Sequence, residues 1–219
     1  LIKRKPGQIK DDILDHAEEL MSGNGYKGVS MRDIAMAAGV NLGSVTYHFG
    51  TKENLLSAIY AKHTRPMNLM RLQLLGEAER ISNKGERLSA IVRAYVLPTI
   101  RADADGGGAR FTRLRAVLSM EGHSVAKKII ADAFDDTTRQ FIRALMLVFP
   151  NANKQRLVWR CHFLLGALYY TLVDGDRVQR LLGTKHGVYS MENAVAELIE
   201  STTASLAQLA FDSSVNDGR

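Results

Sequence analysis

The fold class predicted for this chain is all-α, a short N-terminal helix-turn-helix unit of three helices followed by a larger helical domain. Three observations predict it. Apolar residues recur at spacings of three and four along most of the length, strand-length alternation between turn signals is absent, and a cap-and-glycine pattern brackets short segments near the N-terminus.

The first helix presents Ile9, Ile13, Ala17 and Leu20 on one face, with Gly23 and Gly25 as its stop. Ser30 opens the second: its hydroxyl can accept from the backbone near Asp33 while the Asp33 carboxylate reaches back, a capping box. Ile34, Ala35 and Ala38 form its small apolar face, and Gly39 is placed to take the positive φ that ends it. The turn runs through Val40 and Asn41.

The third helix, roughly Leu42 to Phe49, points Val45 and Phe49 inward and leaves Asn41, Ser44, Thr46, Tyr47 and His48 on the opposite face. A helix offered to a major groove needs short donors and acceptors near its N-terminus for base edges and hydroxyls or cations beside them for phosphates. Gly43 lets the backbone approach a nucleic acid closely. Thr51 caps a fourth helix whose second position, Lys52, combines an ammonium with a positive helix end, a place for a phosphate.

That fourth helix starts with Leu55, Leu56, Ile59 and Tyr60 and continues past a bend near Pro66 through Met67, Met70, Leu74 and Leu75. About five more helices are expected. One runs from near Gly85 through Leu88, Ile91, Val92, Tyr95 and Val96 to Pro98. Asp105-Gly106-Gly107-Gly108 is an interhelix connection, since no strand precedes it and no Lys-Ser or Lys-Thr follows, as a phosphate loop requires. Phe111, Leu114, Val117, Leu118 and Met120 face inward on the next, and Ser124 opens a long helix ending at Pro150. Between Leu157 and Val173 apolar groups occupy almost the whole circumference, so that helix needs cover on more than one side. From Ser190 to Phe211 a narrow stripe of Met191, Ala194, Val195, Leu198, Ile199, Thr202, Leu206 and Leu209 suits close helix pairing; the simplest arrangement pairs this helix and the one before it with their symmetry mates in a four-helix interface, the alternative being packing inside its own chain.

The chain has 219 residues, enough for a sizeable core in one or two domains, and a net charge of +6, which favours a polyanionic partner. Lys3, Arg4, Lys5 and Lys10 are unopposed and form either an arm able to reach phosphates or a neighbouring groove, or a frayed, solvated terminus. From 11 to 65 acids nearly cancel bases, so binding there rests on placement. The one cysteine, Cys161, lies in an apolar stretch, consistent with a reducing cytoplasm. No leader pattern is seen, and the most apolar run is interrupted by Arg160 and His162 and falls short of the ~20 residues that span a bilayer, so no membrane association is expected.

Thr46-Tyr47-His48-Phe49-Gly50-Thr51-Lys52-Glu53-Asn54-Leu55, the Ser30-Met31-Arg32-Asp33-Ile34-Ala35 segment with Ala38-Gly39-Val40, and the Gly23-Asn24-Gly25-Tyr26 helix end together resemble the TetR family of transcriptional regulators over about the first 60 residues. The resemblance implies DNA contacts at Ser30, Arg32, Gly43, Ser44, Tyr47, His48 and Lys52, with Asn41 and Thr46 at sequence-choosing positions. Thr46 departs from the aromatic or aliphatic residue common there. It implies residues 1–52 as arm and DNA-binding domain and 53–219 as a helical ligand-binding and dimerisation domain that includes the connecting helix. The implied partners are double-stranded DNA bearing a palindromic operator, a second copy of the chain, and a small hydrophobic or amphipathic effector that releases a repressor from DNA. A twofold dimer would set its heads about 34 Å apart on successive major-groove faces.

Expected pocket residues are Tyr95, Phe111, Leu114, Arg115, Met120, Phe134, Phe141, Trp159 and Phe163, with Arg113, His123 and Arg160 as further anchors for an anionic head group. The Arg65–Leu75 segment resembles a subset of the family associated with lipid metabolism, which makes a fatty acyl compound the first expectation for the effector. No cofactor and no metal are expected. The six histidines follow no metal-ligand spacing and no nucleophile motif is present, so an all-α enzyme is the weakest alternative. A helical interaction protein that regulates through protein contacts is the other.

Overall fold

The computed structural model describes residues 6–100, 108–173, 176–183 and 190–215. They form α1 (Pro6–Asn24), α2 (Met31–Ala37), α3 (Leu42–Phe49), α4 (Lys52–Glu79), α5 (Lys84–Val96), a 3₁₀ turn at Leu97–Thr99, α6 (Gly108–Glu121), α7 (Ser124–Val148), α8 (Lys154–Val173), α9 (Asp176–Leu182) and α10 (Met191–Val215), with no strand among them. The all-α class holds. Lys3, Arg4 and Lys5 of the basic arm and Asp105-Gly106-Gly107 lie outside the described residues.

The local signals translate directly. Gly25 ends α1 at φ +72° and Gly39 ends α2 at φ +63°, backbone that a Cβ disfavours. Ile13, Leu14, Ala17 and Met21 of α1 meet Ile34, Ala35 and Ala38 of α2, Val45 and Phe49 of α3, and Leu55, Leu56 and Ile59 of α4 in one buried cluster. That cluster does not stop at the head. It takes in Phe111, Leu114 and Leu118 of α6 and Ala126, Ile129 and Phe134 of α7, and α1 packs along α6.

A 28-residue α4 carries Pro66 inside it and connects head to body over about 42 Å. It packs on α5 and α7. The second buried cluster joins Leu75 and Ala78 of α4 to Leu88, Ile91, Val92 and Tyr95 of α5, Phe141 and Leu145 of α7, Leu157, Cys161, Leu164 and Leu168 of α8, and Val195, Leu198, Ile199, Leu206 and Leu209 of α10.

Three expectations need correction. The α10 stripe of Val195, Leu198, Ile199, Thr202, Leu206 and Leu209 is buried within its own chain against α5 and α8, leaving Ala196, Glu200, Ser201, Ala204 and Ser205 outward. Met120 is 66% exposed rather than inward, because it stands two positions, some 200° of helix, from buried Leu118. The short α9 was absent from the sequence reading; seven residues give too little periodicity to reveal it.

Candidate nucleic-acid interface

The reading head is built by caps. Ser30 Oγ accepts from Asp33 N at 3.2 Å, and the Asp33 carboxylate accepts from Ser30 N at 2.8 Å, the reciprocal capping box. Ser30 also donates its hydroxyl to that carboxylate at 2.6 Å. Hydrogen bonds from the Ser30 hydroxyl and backbone hold the Asp33 carboxyl below the usual carboxylate range. At the start of α3, Asn41 Oδ1 accepts from Ser44 N at 2.8 Å and from Ser44 Oγ at 3.1 Å, so Asn41 is the cap and Ser44 its partner. A Cβ on Gly43 would stand 3.2 Å from that same Asn41 oxygen, which adds local crowding to the reason for a glycine there. Thr51 caps α4 by accepting from Asn54 N at 3.1 Å.

With Val45 and Phe49 anchored beneath, α3 leaves Asn41, Gly43 and Thr46 exposed, Ser44 and His48 half-buried, and Tyr47 85% exposed. A phenol so far in solvent gains nothing from the core. Its ring and that of His48 meet edge to face, centroids 5.3 Å apart. Arg32 is exposed on α2; the Ser30 hydroxyl is already engaged in its box.

Lys52 stands where the sequence did not place it. Its ammonium donates to the carbonyls of Tyr26 and Val29, each at 2.8 Å, and lies 4.2 Å from the Tyr26 ring centroid. In the free protein this ammonium ties α4 to the α1–α2 loop. The reason is positional: the first turn of α4 passes over that loop, and the ammonium donates to its carbonyls.

The head is also tied to the body. Glu18 of α1 is buried, accepts from His63 Nε2 of α4 at 2.6 Å and from Arg110 Nε of α6 at 3.2 Å, and His63 stacks on Phe111 at 4.6 Å. At the other end of α6 the Glu121 carboxylate accepts from the backbone of Tyr26 and Lys27. Periodicity could not reveal these ties, since a buried glutamate on α1 reads as a solvated charge.

The family model described as bacterial regulatory proteins, tetR family, matches residues 13–59, and the one described as tetracyclin repressor-like, C-terminal domain, matches residues 93–205. The chain belongs to the TetR family. That family is one of DNA-binding transcriptional regulators. The HTH-type transcriptional repressor AcnR of Corynebacterium glutamicum is 36% identical over 55 residues, 25% of this chain and 29% of that one. AcnR of Corynebacterium efficiens is 34% identical over 55 residues, with the same shares of 25% and 29%. The chain thus spans under a third of the length of the curated relatives it matches. A tetR family transcription regulator from Shewanella sp. PV-4 superposes with a TM-score of 0.61 at 16% identity, covering 92% of this chain and 98% of that one. The TetR family transcriptional regulator PfmR from Thermus thermophilus does so with a TM-score of 0.53 at 17% identity, covering 90% and 96%. These two share the TetR fold.

The residues expected around a ligand divide into two groups in this TetR body. Tyr95, Phe111, Leu114, Arg115, Phe134 and Phe141 are buried, with Tyr95 and Phe141 stacked at 4.3 Å and the tilted rings of Phe111 and Phe134 6.4 Å apart. Trp159 and Phe163 are 53% and 63% exposed and, like Met120, do not line an interior pocket. Both stand two residues past buried positions of α8, Leu157 and Cys161, and so point away. Arg113 is exposed and donates to the Leu172 carbonyl at 3.2 Å, while His123 caps α7. An open cleft of about 470 Å³ lies elsewhere, between the end of α5 and the start of α10, lined by Arg93, Leu97, Met191, Val195 and Ile199 among others. No helix among the described residues is long and apolar enough to cross a membrane.

Proposed function

We propose that this TetR-family chain is a cytoplasmic repressor that binds a palindromic operator as a homodimer and is released by a small amphipathic effector, with a fatty acyl compound the first candidate. Residues 1–52 serve as the reading head and 53–219 as the body that holds the effector and the partner. The observation that carries the DNA reading is the α3 surface: a helix locked by Asn41 and by buried Val45 and Phe49, yet presenting Thr46 and an 85% exposed Tyr47 outward. Ser44, Thr46 and the amide nitrogen of Asn41 read base edges. Tyr47, His48 and Arg32 take phosphates, Gly43 permits the close approach, and Ser30 and Lys52 hold the head in shape.

Dimerisation is supported by α8. Val158, Trp159, His162, Phe163, Gly166, Ala167 and Tyr170 form a continuous exposed stripe opposite the buried Leu157, Cys161, Leu164 and Leu168. A patch of this composition on a helix already covered on its other side suits a twofold interface, with the small outward residues of α10 beside it.

Selection of bound duplexes from a random pool tests the reading. The expected product is an inverted repeat whose half-sites lie about one helical turn apart or slightly more. Recovery of unrelated sequences by a protein that is dimeric in sedimentation would favour regulation through protein contacts instead.

A further inference from the structure

The centre of the body holds two buried guanidinium groups that the DNA reading does not use. Arg71 of α4 is 1% exposed and Arg115 of α6 is 3% exposed. Among the described residues neither pairs with a carboxylate. Both lie over aromatic rings: Arg115 is 3.7 Å from the Phe134 centroid and 5.3 Å from that of Tyr169, Arg71 4.7 Å from Tyr95 and 5.5 Å from the same Phe134. Ring faces neutralise part of a charge but accept nothing from in-plane N–H groups. Arg71 spends Nε on the Tyr95 carbonyl at 3.2 Å and Nη1 on Asn68 at 3.3 Å, whereas its Nη2, the Nε of Arg115 and the hydroxyl of Tyr60 are buried without a partner among the described residues. Burial lowers the Arg71 pKa only to about 10, so it stays charged at neutral pH.

Two like charges beside one ring, each with an N–H left over and with no acid paired to them among the described residues, call for an anion that is not part of these segments. We propose that the free N–H groups of Arg71 and Arg115, with the Tyr60 hydroxyl, hold the carboxylate of a small organic acid. This deepens the effector reading and rests on it. A carboxylate matches because it accepts in the plane of a guanidinium, where the free N–H groups point. Its seat also bears on the head. Closing Arg71 and Arg115 on one anion draws α4 and α6 together, and these helices grip the head through Lys52, through His63 and Arg110 on Glu18, and through Glu121 on Tyr26 and Lys27.

The test is thermal unfolding and calorimetric titration of the full chain with octanoate and 3-phenylpropionate, with octanamide and 3-phenylpropionamide as neutral matches and sodium chloride at equal ionic strength. The expected result is saturable stabilisation by one or both acids and by neither amide. Arg71→Met and Arg115→Met, unliganded, should melt at or above the parent, since each removes an unpaired buried charge, and each should bind the responding acid roughly tenfold or more weakly. Should a methionine variant fail to fold, Arg115→Lys keeps the charge, moves the donors and should weaken the acid likewise. Equal response to the amides or to chloride, or unchanged acid affinity in the variants, overturns the site. Failure of both acids with sequence-selective DNA binding intact also overturns it, and leaves the regulator reading standing. Acid binding without operator binding would instead count against the regulator reading alone.

Discussion

Glu121 and Tyr26 are 95 positions apart in sequence and 2.7 Å apart across a hydrogen bond, the carboxylate at the end of α6 accepting the Tyr26 backbone N–H. Its other oxygen accepts from Lys27 at 2.8 Å. Loop amides that no helix satisfies are thereby tied to the body, and with Arg110 on Glu18 the helix α6 grips both α1 and the loop that follows it. Glu121→Ala should cost about 2 kcal/mol in urea unfolding, the range for hydrogen bonds to a charged group. It should also speed hydrogen exchange at the Tyr26 and Lys27 amides more than at α10. Unchanged exchange at those amides would remove the clamp.

Lys52 makes a comparable strap from the other side. Lys52→Met leaves the Tyr26 and Val29 carbonyls unpaired and should destabilise the chain by about 2 kcal/mol. Operator binding should weaken through a loosened head while the slope of log K against log salt stays where it was, because no phosphate contact is lost. A slope shallower by about one would return Lys52 to the phosphates.

Tyr47→Ala separates binding from folding. At 85% exposure the ring contributes little to the core, so stability should change by no more than about 0.5 kcal/mol. Affinity should fall roughly tenfold on every duplex alike, as a lost phosphate contact does, whereas Thr46→Ala should alter which bases are preferred. Gel-shift titrations on matched and scrambled duplexes read both.

The outer face of α8 tests assembly. Phe163→Glu places a charge in the middle of the exposed stripe and should weaken the dimer roughly thirtyfold or more in sedimentation, with the monomer's helical content unchanged. A parent protein that sediments as monomer at low concentration would remove the interface altogether.

Cys161 gives the pH test. Burial pushes its thiol up to about 12 from an ordinary 9.0, so the folded chain keeps the proton that the unfolded chain releases. The sign follows: above about pH 9 the folded state binds more protons than the unfolded one, and stability falls as pH rises through that range. A thiol reagent at pH 8 should label Cys161 only after unfolding. Rapid labelling of native protein would contradict its burial.

The sequence by itself determined the all-α class, the helix boundaries of the head and the identity of α3 as the presented helix, because these depend on contacts a few residues long. The Ser30–Asp33 box, the Gly39 stop and the Asn41 cap each close within four residues, so their geometry is written locally. Tertiary structure alone decided which face of α8 and α10 is turned inward, that Lys52 finds loop carbonyls 23 and 26 positions away, and that Arg71 and Arg115 meet over Phe134. A periodic pattern marks an apolar stripe without saying what covers it, and an arginine in a helix reads as solvated until neighbouring helices close over it.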